Sequence, residues 1–153
     1  PVLLKHRLGV FHGEVFNMKK ILLPVDGSER CMKSVDLVRK LYDPKEVEIA
    51  IVTVKEDYES FIRTEFEPEK VYEENMPMLD DVEKQLDGYK VCDKKVLVGK
   101  SAGTEIIEYA NANKVHAIIM TMSSKPGHQT ILGSVTAHVV KNSRCVVIIT
   151  PEK

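Results

Sequence analysis

Ile21-Leu22-Leu23-Pro24-Val25-Asp26-Gly27-Ser28-Glu29 runs from a wholly apolar stretch straight into a turn. Far downstream, Ile131-Leu132-Gly133-Ser134-Val135-Thr136 uses small residues to open an amphipathic segment. Each stretch reads as a place where backbone meets a helix N-terminus. Ser28 can cap a helix that starts at Glu29, and Gly133-Ser134 can open another. Helix N-termini carry unpaired N–H groups and partial positive charge, so they hold anions. Side by side, the two turns would form one pocket suited to phosphate. Topology therefore decides function.

On either side of these stretches the chain alternates. Residues 20–25 form a continuous apolar run, the pattern of a strand buried on both faces. Residues 29–41 place Met32, Val35, Leu37, Val38 and Leu41 at helical spacing, and Asp43-Pro44 ends that run. Residues 46–54 read as a second strand. Residues 69–86 read as a helix with Val71, Tyr72, Met78, Leu79, Val82 and Leu86 inward. Pro77 inside it should kink or split it, and Asp87-Gly88 should end it. A third strand spans 89–98, and a helix spans 104–113 with Thr104 or Ser101 as its cap. A fourth strand spans 115–120, a last helix 131–142 and a last strand 145–150.

This is an α/β pattern: a five-stranded parallel sheet in three layers, doubly wound, with helices on both faces. In the order 3-2-1-4-5, strands one and four are neighbours where the winding reverses, and ligands bind there beyond the strands' carboxyl ends. The flavodoxin-like order 2-1-3-4-5 would separate the two turns.

The 153 residues suit one domain with a real core. Lys+Arg number 22 against Asp+Glu 23, which argues against nucleic acid as the main partner. Cys31, Cys92 and Cys145 are scattered and odd in number, so neither a disulfide framework nor a metal knuckle fits, and a reducing cytoplasm is the default. No apolar run approaches the roughly 20 residues that span a membrane. Residues 1–17 read as an extension, either an extra strand or hairpin or a remnant outside the domain at 18–153. His6 and His12 in it lack acidic or thiol partners, so they read as surface residues.

The sequence resembles the universal stress protein family from about Met18 to Pro151. The resemblance rests on the stretch from Lys19 through Glu29, on Gly99 with residues 104–110, on residues 115–120, and on Leu132-Gly133-Ser134-Val135-Thr136. It implies the 3-2-1-4-5 order and a homodimer, often through the last strand, here Cys145 to Thr150. For one branch of the family it implies ATP binding without strong hydrolysis, so ATP (with Mg) or AMP is the expected ligand. That branch carries Gly-x2-Gly-x9-Gly-Ser/Thr, and only its end is present, at Gly133-Ser134. Anchored on the fourth strand, the first two glycines fall on Thr121 and Ser124, one residue short of the last interval. Anchored on Gly133, they fall on Met120 and Ser123. Thr121 and Ser124 keep hydroxyl donors, and Lys125 offers a charge to phosphate.

By the same resemblance Asp26 lies near the adenosine half and Val54 offers its backbone to adenine; the expected pocket lies between Pro24, Val25 and Asp26, Val54, and the stretch from Thr121 to Val135, with phosphates toward Gly133-Ser134. Plainer roles stay open beside these. Asp26 can organise an Asx-turn, Val54 can be an ordinary strand residue, and Gly133-Ser134 can be a packing glycine and an N-cap. His116 reads as a satisfied core or edge histidine. Gly99-Lys100-Ser101-Ala102-Gly103 has the Gly-x-Ser-x-Gly spacing of a nucleophile elbow, but neither Ser101 nor Ser134 has an identifiable His–acid pair, and no Walker loop or zinc-protease motif appears, so an enzyme reading finds little support. The first expectation is a nucleotide-responsive stress protein. The others are an interaction protein with a degenerate site, and a small hydrolase or transferase at the same pocket.

Overall fold

A computed structural model describes residues 10–11, 14–15, 18–56, 67–122 and 132–151. Strands β1 (Val10–Phe11) and β2 (Glu14–Val15) pair antiparallel as a separate ribbon. The main sheet holds β3 (Lys19–Pro24), β4 (Val47–Glu56), β5 (Lys90–Gly99), β6 (Ala117–Thr121) and β7 (Val146–Thr150). Its order is β5-β4-β3-β6-β7, all parallel. Counted from Lys19, this is 3-2-1-4-5, so β3 and β6 are neighbours at the point where the winding reverses.

The strands show why this order forms. Ile21, Leu23, Ile49, Ile51 and Ile119 pack on one face, with Val35 and Val38 of α1 (Met32–Leu41) and Leu79 and Val82 of α2 (Pro68–Gln85). Leu22, Ala50, Val52, Ile118 and Met120 pack on the other, with Ile106 of α3 (Ala102–Ala112) and Val139 of α4 (Ser134–Asn142). Period-two alternation thus feeds two separate cores, so the central strands must be apolar on both faces.

Several expectations need correction. The segment from Glu29 does not begin as an α-helix. Glu29–Cys31 is a 3-10 turn that leads into α1 at Met32. Pro77 does not split α2, which runs through it as one element. Tyr72 and Leu41 do not turn inward, because they are 47% and 51% exposed. The polar residue Asn75 takes the buried position on α2, and its side-chain amide donates to the Val71 carbonyl at 2.7 Å. Thr104 lies inside α3, with Ser101 at the N-cap position. The last helix starts at Ser134; residue 131 lies outside the described residues.

The two sheet edges differ. On β5, Lys90 is bound to Glu48, and Lys94 is bound to Asp80 and Glu83. Charged side chains of this kind protect an edge from pairing with another chain. The β7 edge is apolar, with Val146 61% exposed.

The Lys90 contact also sets a pH dependence. The Lys90 hydrogen bond, followed in weight by burial that opposes it, leaves the Glu48 carboxyl below its ordinary 4.5. A lowered folded-state pKa adds stability that is present above the unfolded value and is lost as pH falls through the folded one. Lys90→Ala should therefore flatten the acid limb of the stability profile below about pH 4.5, by roughly 0.2–1 kcal/mol as for partly exposed pairs. Chemical denaturation at pH 3 and pH 7 checks this, and an unchanged pH difference contradicts it.

Candidate functional site

The carboxyl ends of β3, β4 and β6 surround a cavity of about 160 Å³. Val52, Val54, Ile106 and Met120 make its apolar wall, and Asp26, Ser28, Arg30, Thr121 and Thr136 bring polar groups to it. The turn after β3 and the turn before α4 therefore meet: Ser28 and Arg30 come from the first, Val135 and Thr136 from the second.

Each polar group is held locally. Gly27 has φ 76°, a conformation that glycine reaches without strain. It lets the chain double back so that the Ser28 N–H donates to Asp26 Oδ1 at 3.0 Å, and the Ser28 hydroxyl donates to the same oxygen. This is the Asx-turn. Burial pushes the Asp26 carboxyl up, but the Ser28 hydrogen bonds and the Arg30 charge, 4.0 Å away, outweigh it and leave the group below 3.8. Asp26 is thus an anion at neutral pH. Cys31 also lines the cavity, and burial pushes its thiol up, so it forms a neutral wall.

On the opposite side, the Thr121 hydroxyl donates to the Arg30 carbonyl at 3.0 Å and accepts from the Thr150 hydroxyl at 3.0 Å. These bonds tie the ends of β6 and β7 to the first turn. Thr136 is different. It is fully buried and lines the cavity, and its hydroxyl has no hydrogen-bond partner among the described residues. A buried polar atom without a partner costs about 1–3 kcal/mol.

Of the residues expected from sequence, Pro24, Val25, Asp26, Val54, Met120, Thr121 and Val135 line the cavity together. Gly133 and Ser134 sit beside it, as the N-cap and first residue of α4. Ser124 and Lys125 lie outside the described residues. Ser28 does not act as a side-chain cap, because its hydroxyl is committed to Asp26. His116 is exposed at the far end of the sheet, where its Nδ1 accepts from the Lys20 N–H at 2.9 Å. Arg30, Cys31, Val52, Ala102, Ile106 and Thr136 line the cavity without having been expected there. Thr136 carried a readable signal: a hydroxyl in the first turn of a helix, set among apolar residues. Ala102 and Ile106 arrive from α3 only through the fold.

Among the described residues no group of three or more His, Cys, Asp or Glu is placed to hold a metal ion. No helix among them is long and apolar enough to cross a membrane.

Comparison with known proteins agrees with this geometry. A curated universal stress protein of Methanocaldococcus jannaschii is 29% identical over 138 residues, which covers 86% of this chain and 81% of that protein. The solved structure of hypothetical protein MJ0577 superposes with a TM-score of 0.72 at 33% identity, covering 86% of this chain and 94% of that one. A universal stress protein solved in complex with cAMP superposes with a TM-score of 0.65 at 16% identity, covering 89% of this chain and 98% of that one. The sequence model of the universal stress protein family matches residues 17–151. With nearly the whole chain inside that match, and with the sheet order and switch-point cavity described above, this chain belongs to the universal stress protein family.

Proposed function

We propose that this protein binds an adenine nucleotide, ATP or AMP, in the switch-point cavity, and acts as a regulatory or stress-response protein with little or no hydrolysis. The observation that carries this reading is the Thr136 hydroxyl, buried and without a partner among the described residues, at the N-terminal end of α4. An uncapped helix start plus an idle buried donor is a binding surface for an anionic oxygen. The apolar wall of Val52, Val54, Ile106 and Met120 suits a base and sugar. The fold relative solved with cAMP supports the same ligand class. The free thiols of Cys31, Cys92 and Cys145 fit work in a reducing cytoplasm.

Thermal unfolding with and without AMP or ATP tests the reading. A ligand that binds only the native state at 100 times its Kd stabilises by about 2.7 kcal/mol. For a chain of this size that raises Tm by about 5–11 °C. No shift at millimolar nucleotide contradicts the proposal.

Hydrolysis is expected to be slow. Asp26 is the one carboxylate among the described lining residues, and phosphoryl transfer needs aligned metal and cationic groups beyond one acid. Purified protein should show no steady-state ATP turnover above background. Rapid turnover that is lost in Asp26→Ala contradicts this.

A second reading, an interaction protein acting as a symmetric homodimer through β7, is favoured by the apolar edge of that strand. A two-fold axis would pair the same strand with itself and leave no open end. Val146 is largely exposed, whereas Val147 packs against the core. Val146→Lys should therefore break the dimer without unfolding the protomer. Light scattering checks this: a wild type that is monomeric at micromolar concentration, or a Val146→Lys protein that stays dimeric, contradicts it.

A further inference from the structure

Ser28, Thr121 and Thr136 line the cavity and carry hydroxyls. A hydroxyl has one proton to donate. Ser28 gives its proton to Asp26 Oδ1. Thr121 gives its proton to the Arg30 carbonyl at 3.0 Å. A carbonyl can only accept, so the direction of that bond is fixed. It fixes the next bond too. With its proton spent, Thr121 must accept from Thr150, whose hydroxyl lies 3.0 Å away. The chain therefore runs one way, from Thr150 to Thr121 to the Arg30 carbonyl. The hydroxyl expected from sequence to serve phosphate at Thr121 is thus spent, while that of Thr136 has no partner among the described residues.

The two ends of this chain lie on different parts of the fold. Thr150 is the last residue of β7, opposite Thr121 in the ladder, and it is buried but does not line the cavity. Its carbonyl accepts from the Met122 N–H at 2.9 Å, so backbone and side chain both hold it to the end of β6. Arg30 belongs to the 3-10 turn at Glu29–Cys31, beside Asp26 and Ser28 on the polar side of the cavity. Register pairs between β3 and β6 stop at Leu22 and Ile118. The ladder therefore ends before the cavity, and the hydroxyl chain joins the two walls beyond it.

We infer that Thr150 is a positioning residue for the nucleotide site, and that Thr121 links it to the Arg30 turn and does not donate to phosphate. This rests on the nucleotide reading proposed above and deepens it. Hydrogen bonds in a chain strengthen one another and hold their members in one arrangement. Without the Thr150 hydroxyl, Thr121 loses the donor that orients it. The turn carrying Asp26 and Arg30 then loses its fixed place against the end of β6. A ligand that spans the two walls binds less well as a result, with or without a phosphate.

Calorimetric titration of the full chain with AMP and adenosine tests this, on wild type, Thr121→Val, Thr150→Val and Thr150→Ser. Valine nearly keeps the shape of threonine and removes the hydroxyl. Thr121→Val should lower AMP and adenosine affinity alike, by about fivefold each, the equivalent of one hydrogen bond. Thr150→Val should do the same from outside the cavity. Thr150→Ser keeps the hydroxyl and should bind both ligands as wild type does. Loss of AMP affinity with adenosine unchanged in Thr121→Val makes that hydroxyl a phosphate donor and overturns the inference. Wild-type affinities in Thr150→Val overturn the positioning role, as does a Thr150→Ser protein as weak as Thr150→Val. In each of these cases the nucleotide reading stands. A wild type that binds neither ligand removes the nucleotide reading and this inference together. If either valine variant fails to fold, the other decides alone.

Discussion

Gly133→Val is expected to fold and to lose AMP affinity by at least about a hundredfold. Gly133 has φ −59° and ψ 156°, a conformation open to any residue, so the backbone does not need glycine there. What needs glycine is the approach of an anion to the α4 start. Isopropyl bulk at the N-cap would stand between the phosphate and the N–H groups of Ser134 and Val135. Hydrogen bonds to a charged group contribute about 1.5–3 kcal/mol each, and each tenfold in affinity is about 1.4 kcal/mol, so the loss of two gives roughly two to four decades, with a hundredfold as the lower bound. Calorimetry measures it. Unchanged affinity in a folded Gly133→Val protein places the ligand elsewhere.

Leu79→Ala should be the most damaging of the simple core truncations on α2. Leu79 is fully buried where the helix docks on the sheet, among Ile49, Ile51 and Val82. Removing such a side chain costs about 2–5 kcal/mol, because the transfer term and the residual cavity add. Tyr72→Ala, on the same helix but 47% exposed, should fall within about 0.5 kcal/mol of wild type. Urea denaturation of both variants checks the contrast. Similar losses for the two would contradict the assigned face of α2.

The difference between those two residues shows where sequence stops being legible. Spacing alone puts Tyr72 and Leu79 on one apolar stripe, seven residues apart. Tyr72, however, belongs to the first turns of α2, which carry the exposed residues Glu67, Glu69, Glu73 and Glu74. Periodicity reports which residues share a helix face. It does not report how far along the helix the sheet reaches. The strands were readable for the opposite reason. Ile21, Leu22 and Leu23 are apolar in succession because both sheet faces are covered, and no solvent-exposed strand needs that pattern.

The site was legible where it sits on one turn and opaque where it joins distant ones. Asp26, Gly27 and Ser28 form a local motif whose Asx geometry follows from residue type. Met120, Thr121 and Val135 followed from the sheet order. Glu56 capping Ala102 spans 46 positions, and no local rule reaches that far. Ser28 was misjudged by a short-range competition: its hydroxyl reaches Asp26 more readily than the helix backbone, as short polar side chains often do.

An adenine nucleotide is expected at the start of α4 beside the end of β3. A ¹⁵N–¹H correlation titration of the labelled full chain with AMP tests it most directly, because it reports binding and place together. Saturable shifts should concentrate on the amides of Ser134, Val135 and Thr136, with smaller ones at Val25, Asp26, Val54 and Thr121. Spectra unmoved by millimolar AMP, or shifts clustered away from α4, would contradict that placement.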